Sequence, residues 1–323
     1  MFTLADLEAA AALVRPVVPE TPQYAWPSLA DRVGAAEVWV KHENHTPIGA
    51  FKLRGGVVYV DWLVGSGIKV AGVITATRGN HGQSVALASR RAGVPATILV
   101  PYGNSAEKNA AMAEFGAELI VYGRDFDEAR VRAMELAEER RLHYLPSFHP
   151  LLVRGVATYA LELFRAVATL DAVYVPIGMG SGICGLIAVR ELLGLLTEVV
   201  GVVAATAPAV AVSVEAGRPI PTNSARTFAD GMACREPHPD AVALISKGAQ
   251  RIVRVGEDEI AEAIRVLWAT THNVAEGAGA AALAALMQER QRMRGKRVGL
   301  ILSGGNIDTD MLRAVLDGQT PVA

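Results

Sequence analysis

Of the 31 Lys and Arg residues only six are lysines, and Lys52 among them follows an aromatic residue in KHENHTPIGAFKLRGG (Lys41–Gly56), at the start of a helical run. Most lysines are solvated surface groups, but this one lies in a mostly apolar segment. A lysine held partly out of water has a lowered pKa and can form a Schiff base with an aldehyde. A second segment, TATRGNHGQS (Thr75–Ser84), lies between a β-branched run and a helical one. Its Gly79 and Gly82 let the backbone approach a ligand, and the helix start offers free N–H groups to an anion such as a carboxylate. The same turn also reads as an ordinary junction with Asn80 as a helix cap. His81, alone at a helix start, reads as a structural hydrogen-bonder before it reads as a base.

Two further segments end strands. VPIGMGSGICG (Val175–Gly185) puts glycine-rich backbone before a helix, the arrangement that cradles a phosphate. It contains GxGxxG at Gly180, Gly182 and Gly185, so a dinucleotide site must be weighed. That site needs an acidic residue at the end of the next strand. The next run, Val199–Ala204, ends in Ala205-Thr206, which disfavours a nicotinamide dehydrogenase and leaves a smaller phosphate ligand. LILSGGNID (Leu300–Asp308) ends an apolar run in Ser303 and two glycines. A hydroxyl there can bond an aromatic ring nitrogen or satisfy local backbone. Glu276, ahead of a small-residue helix, is either a cap or a pocket residue.

The elements that position these segments are legible from periodicity. Strands are expected at Glu37–Lys41, Val70–Thr75, Ala96–Val100, Glu118–Tyr122, Ala172–Ile177, Val199–Ala204 and Val298–Ser303, each followed by a turn or helical pattern. Asp125–Arg141 reads as an exposed helix with Phe126, Ala129, Met134 and Ala137 along one side. Strands apolar throughout, alternating with helices, imply an α/β fold with parallel sheets covered on both faces. Residues from about Lys69 to Leu145 form a compact α/β run of their own. That run fits a small domain, 69–145, inserted into a large one made of 1–68 and 146–323, an organisation that periodicity alone does not show.

Composition narrows the function classes. The 323 residues suit one large or two ordinary domains of about 100–200 residues. With 51% hydrophobic and 20% charged residues, the chain can bury a large core. Its net charge of −2 gives no electrostatic reason to expect nucleic acid or an anionic membrane. Cys184 and Cys234 stand far apart, without CxxC or nearby histidines at ligand spacing, so a disulfide scaffold and a structural zinc site are not expected. The N-terminus lacks the pattern of a signal peptide. Pro176 and Pro208 interrupt the two longest uncharged runs, which fall short of the roughly 20 apolar residues of a span. The expectation is a soluble, cytoplasmic protein.

Taken together, in this order, the four segments resemble the fold type II pyridoxal-phosphate enzymes, and within them the threonine/serine dehydratase and serine racemase branch. The resemblance runs from about Val38 to Leu312. It implies a tryptophan-synthase-β-like fold of two open parallel-sheet domains with pyridoxal 5'-phosphate as cofactor. By position, Lys52 resembles the lysine that bonds the cofactor, Phe51 the ring beside it, and Asn80 the partner of the cofactor's 3'-hydroxyl. Gly178, Met179, Gly180, Ser181 and Gly182 resemble the phosphate loop, and Ser303 the partner of the pyridine nitrogen. Thr77, Arg78, Gly79, Asn80 and His81 resemble the loop that holds the substrate carboxylate. The implied reaction is β-elimination of a β-hydroxy-α-amino acid to a 2-keto acid and ammonia. Threonine, serine, phenylserine, hydroxyaspartate or an intermediate of hydroxyectoine breakdown would each be a substrate of such a relative. The branch is compatible with a homodimer.

Three departures shape the expectations. Ala50 stands where the family usually has Ser. Arg78 stands where serine racemases place a catalytic Ser, and arginine stays protonated, which makes it a poor base. A racemase is therefore the second reading, and a non-catalytic nucleotide-binding module the reading of another class. Ala205–Ser213 contains no carboxylate where relatives bind a divalent cation, so no metal is expected. The C-terminal regulatory domain of biosynthetic threonine dehydratases is likewise expected to be absent. Arg78 itself is expected to fill pocket volume or reach a substrate group.

Overall fold

Ten strands build two sheets in the computed structural model, which describes residues 1–322. They are β1 (Gln23–Ala25), β2 (Glu37–His42), β3 (Val73–Ala76), β4 (Ala96–Val100), β5 (Glu118–Val121), β6 (His143–Tyr144), β7 (Ala172–Pro176), β8 (Glu198–Ala204), β9 (Arg251–Val255) and β10 (Arg297–Leu302). The larger sheet has the order β1-β2-β10-β7-β8-β9, and the smaller β5-β4-β3-β6. Every pairing is parallel except β1 with β2, which is antiparallel. All four strands of the smaller sheet lie between Val73 and Tyr144.

Alternation along the central strands explains why the larger sheet is apolar on both sides. Ala172 and Tyr174 of β7 join Val200 and Val202 of β8 in one core. Val173 and Val175 join Val199 and Val203 in the core on the opposite face. Helices cover both faces, as a buried parallel sheet requires. Cys184 and Cys234 are buried and free, and burial pushes both thiols up to about 12. Among the described residues, no helix is long and apolar enough to cross a membrane.

Several expectations need correction. Val70–Gly72 is not strand, and β3 starts at Val73. Three strands escaped the periodicity reading: β1 and β6 are too short to show a period, and β9 (RIVRV) carries two arginines. The exposed helix runs Phe126–Arg140 with Asp125 as its cap, but Met134 is 50% exposed and does not belong to the buried stripe. Ala133 and Leu136 complete that stripe with Ala129 and Ala137.

One buried polar cluster stiffens the region behind the site. Arg54 and Glu43 are fully buried and paired at 2.8 Å, and Arg54 also reaches Glu162 at 2.6 Å. Lys41 of β2 meets Glu162 at 2.6 Å, and Thr21 donates to Glu43 at 2.6 Å. Burying ions is costly unless each is paired and hydrogen-bonded. Here each charge has a partner.

Candidate active site

The four chemistry-bearing segments converge because each leaves the C-terminal end of a parallel strand, where ligands gather in open α/β sheets. Thr77 follows β3, Gly178 follows β7, and Ser303 follows β10 directly. Lys52 opens the helix Lys52–Gly65, with Phe51 as its cap residue. Phe51 N–H donates to Ser303 O at 3.1 Å, and Ala50 bridges Gly304. The lysine helix is thus pinned to the end of β10. Ser84 Oγ donates to Lys52 O at 2.8 Å, which ties the same turn to the helix Asn80–Arg91.

Between the segments lies a cavity of about 690 Å³ whose wall includes Phe51, Lys52, Thr77–His81, Gly178–Gly182, Glu276 and Ser303. Every candidate site residue taken from the sequence therefore borders one space. Lys52 Nζ donates to Ser181 Oγ at 3.1 Å and sits 5.0 Å from the centre of the Phe51 ring. Burial lowers the Lys52 pKa to about 8, against an upward pull from Glu276. A large neutral fraction near pH 8 makes this amine both a nucleophile and a base.

The glycine loop is shaped by space and by conformation. Gly180 has φ +100°, and a side chain at Gly178 would come within 2.3 Å of Gly231 O. Gly180 also caps the helix Ser181–Leu192 without a side-chain bond. Cys184 N–H is the first to bond back, to Gly180 O. The N–H groups of Ser181, Gly182 and Ile183 have no partner among the described residues, so this helix start can receive an anion. Tyr159 fixes the loop behind, donating to Gly182 O at 2.8 Å.

The turn after β3 differs in detail from an ordinary cap. Asn80 is the first helical residue, not the cap, which is Gly79. Thr77 Oγ1 accepts from Gly79 N–H at 2.9 Å and Gly82 N–H at 3.2 Å, so its remaining hydrogen is free to donate. A side chain at Gly82 would meet Thr77 and Met112 within 2.5 Å, which is why glycine stands there. His81 Nε2 lies 3.1 Å from Thr75 Oγ1, and burial, with Lys52 nearby, pushes its pKa down to about 3. Its imidazole stays neutral and occupied, and what it offers a ligand is a backbone N–H. Arg78 is exposed on the cavity wall with no carboxylate partner among the described residues.

Sequence reasoning missed the polar network around Asn80. Asn80 Nδ2 donates to Glu276 Oε1 at 2.7 Å, and Asn306 Nδ2 donates to Asn80 Oδ1 at 2.8 Å. Glu276 is therefore a pocket residue that also caps the helix Gly277–Gln288. Its Oε2 is buried without a partner, and burial raises its pKa to about 7, with Lys108 pulling it down. Lys108 in turn pairs with Asp230 at 2.6 Å. Lys108 is one of only six lysines in the chain, the one signal that could have drawn attention to it.

Several groups thus await a ligand: the buried Ser303 hydroxyl, Glu276 Oε2, the amine of Lys52 and two helix starts. An aldehyde-bearing aromatic ring with a phosphate tail would meet the Ser303 hydroxyl, the Lys52 amine and the start of the Ser181–Leu192 helix, so the residues present fit such a group. Among the described residues there is no cluster of three His, Cys, Asp or Glu side chains able to hold a metal ion. Near the segment that lacks carboxylates, Thr206 donates to Glu257 Oε1 at 2.7 Å. The second oxygen of Glu257 accepts from Thr227 Oγ1 and from Phe228 N–H.

Comparison with known proteins agrees with this geometry. The family model described as pyridoxal-phosphate dependent enzyme matches residues 14–304. A biosynthetic L-threonine dehydratase of Haemophilus influenzae is 33% identical over 86% of this chain, which spans only 55% of that protein. An L-threonine ammonia-lyase of Thermotoga maritima is 33% identical over 98% of the chain and 79% of its own length. Among solved structures, a processed threonine deaminase isoform of Solanum lycopersicum superimposes with a TM-score of 0.89 at 31% identity, covering 97% of this chain and 91% of that one. A pyridoxal 5'-phosphate-dependent aspartate racemase does so with a TM-score of 0.90 at 28% identity, covering 96% and 97%.

Proposed function

Because the chain belongs to the pyridoxal-phosphate-dependent enzyme family, in its threonine/serine dehydratase and serine racemase branch, we propose that it eliminates the β-hydroxyl of a β-hydroxy-α-amino acid and releases a 2-keto acid and ammonia. Its cofactor is pyridoxal 5'-phosphate. Lys52 would hold the cofactor's aldehyde carbon, Phe51 would pack beside it, and Asn80 would meet its ring hydroxyl. The loop Gly178–Gly182 would take the phosphate, and Ser303 the ring nitrogen. When bound, the cofactor draws electrons from the substrate α-carbon and so acidifies its proton.

The protein's own part follows from the site. Lys52, with its pKa lowered to about 8 by burial, accepts the α-proton at Nζ. Ser181 Oγ, 3.1 Å away, orients that amine. The N–H groups at the start of the Asn80–Arg91 helix and the Thr77 hydroxyl receive the substrate carboxylate. Asn80, held by Glu276 and Asn306, fixes the pocket between the two sheets. A neutral hydroxyl at Ser303 suits elimination over deeper electron withdrawal. We propose also that 69–145 acts as a small domain, a reading supported by the four-stranded sheet confined to it.

The observation that carries this reading is the placement of the Lys52 amine against Ser181 at the start of the glycine-loop helix. Ammonia and 2-keto acid release by wild type and Lys52→Ala tests it. Turnover should vanish in the variant, and full activity there would end the reading. The racemase reading needs an acid/base on each face of the cofactor, and Arg78 does not supply one. Chiral chromatography after incubation with L-serine distinguishes the two, because rapid D-serine formation would reverse their order.

A further inference from the structure

The charged side chains of the cavity wall divide into those with partners and those without. Arg235 is held by Asp127 at 2.6 Å, Arg130 by Glu236 at 2.8 Å, and Lys108 by Asp230 at 2.6 Å. Apart from Lys52, the wall keeps two cations with no hydrogen bond or ion pair among the described residues, Arg78 and Arg226. Both are exposed, and they come from different segments of the chain. Arg78 lies in the turn between β3 and the Asn80–Arg91 helix, beside the smaller sheet. Arg226 lies in the irregular stretch between the helix Ala209–Ala216 and the short turn Asp230–Met232, on the side of the larger sheet. The cavity, at about 690 Å³, has room for more than a methyl-bearing substrate beside a cofactor.

We propose that Arg226, with Arg78, is a specificity-determining residue that receives a second carboxylate, carried on the β-carbon side of the substrate. The preferred substrate is then a dicarboxylic β-hydroxy-α-amino acid. This rests on the elimination reading above and sharpens its substrate class. The α-carboxylate already has receivers in the N–H groups and the Thr77 hydroxyl of the turn after β3. The two guanidiniums are in excess of that need. A guanidinium presents planar, paired donors that match a carboxylate, and its charge favours an anion over an amide. A monocarboxylic substrate such as threonine would leave both unused.

The test compares 3-hydroxyaspartate, 3-hydroxyasparagine and threonine with the holoenzyme, using wild type, Arg226→Gln and Arg226→Lys. The expected result is a higher kcat/KM for 3-hydroxyaspartate than for the other two. Arg226→Gln should reduce the ratio of 3-hydroxyaspartate to threonine by roughly ten- to a hundredfold, the loss of a charge-assisted bond. Arg226→Lys should restore part of it. An unchanged ratio in Arg226→Gln, or a wild-type preference for the amide, would overturn the proposal. Binding supplies an arm independent of turnover: L-aspartate and L-2-aminobutyrate lack the leaving hydroxyl, and each perturbs the cofactor spectrum on binding. Tighter L-aspartate binding that Arg226→Gln abolishes would sustain the charge-reading pair even if no substrate were eliminated. Equal binding of the two, with elimination intact, would sink the pair and leave the elimination reading standing.

Discussion

Asn80 Nδ2 donates to Glu276 Oε1 at 2.7 Å, joining the first turn of a helix on the smaller sheet to the cap of a helix on the larger one. The contact closes one wall of the cavity and leaves Glu276 Oε2 buried without a partner. Burial raises the Glu276 pKa from 4.5 to about 7. A carboxyl whose folded pKa is raised favours the native state below its unfolded pKa and loses that contribution as pH climbs through the folded value.

Glu276→Gln keeps the shape and removes the titration. Wild-type stability should therefore decline relative to the variant between about pH 5 and pH 8, with a slope of at most about 1.4 kcal/mol per pH unit. Denaturant midpoints at the two ends of that range check it. A difference between wild type and variant that stays constant with pH would show that Glu276 does not titrate there.

Arg78→Ala should retain the cofactor, since Arg78 belongs to the turn that faces substrate, and should lower kcat/KM substantially. Loss of one charge-assisted hydrogen bond costs about 1.5–3 kcal/mol, or roughly ten- to a hundredfold. Arg78→Ser supplies a hydroxyl at the same position, and chiral chromatography of its products would reveal any racemisation. Unchanged kinetics of Arg78→Ala with every β-hydroxy amino acid tested would place its side chain outside the reaction.

How far the sequence reached is visible in these residues. Lys52, Asn80, the loop Gly178–Gly182 and Ser303 were legible through the order in which their segments resemble the family, since the glycine-rich strand ends and the lysine ten positions past β2 each also fit an ordinary structural role. The Asn80–Glu276 contact spans 196 positions and Arg54–Glu162 spans 108. No local pattern announces such pairs, so the Asn80 network and the buried ions stayed hidden. Met134 was misread for a related reason: helical spacing places a side chain on a face, but only the neighbouring sheet decides which face is buried.

The buried ions yield a stability prediction. Arg54→Met removes the partner of Glu43, which is fully buried, and of Glu162. Breaking such a cluster by deleting one charge typically costs about 3–5 kcal/mol. Urea unfolding measures it directly, and a loss below about 1 kcal/mol would mean that water reaches Glu43.

Chelation should be without effect. The segment Ala205–Ser213 has no carboxylate of its own, and Glu257 beside it has both oxygens engaged by Thr206, Thr227 and Phe228 N–H. Divalent cations need several free oxygen ligands. Activity should be the same with and without EDTA, whereas loss in EDTA and recovery with Mg²⁺ would contradict this account of the segment.

The claim on which the rest depends is that Lys52 carries the cofactor. Borohydride reduction of the purified yellow holoenzyme, followed by proteolysis and mass spectrometry, locates the attachment. The phosphopyridoxyl mass should appear on the peptide containing Lys52 and on no peptide containing Lys41, Lys69, Lys108, Lys247 or Lys296. Its appearance on any of those five, or its absence from the Lys52 peptide of a bleached protein, would contradict the account.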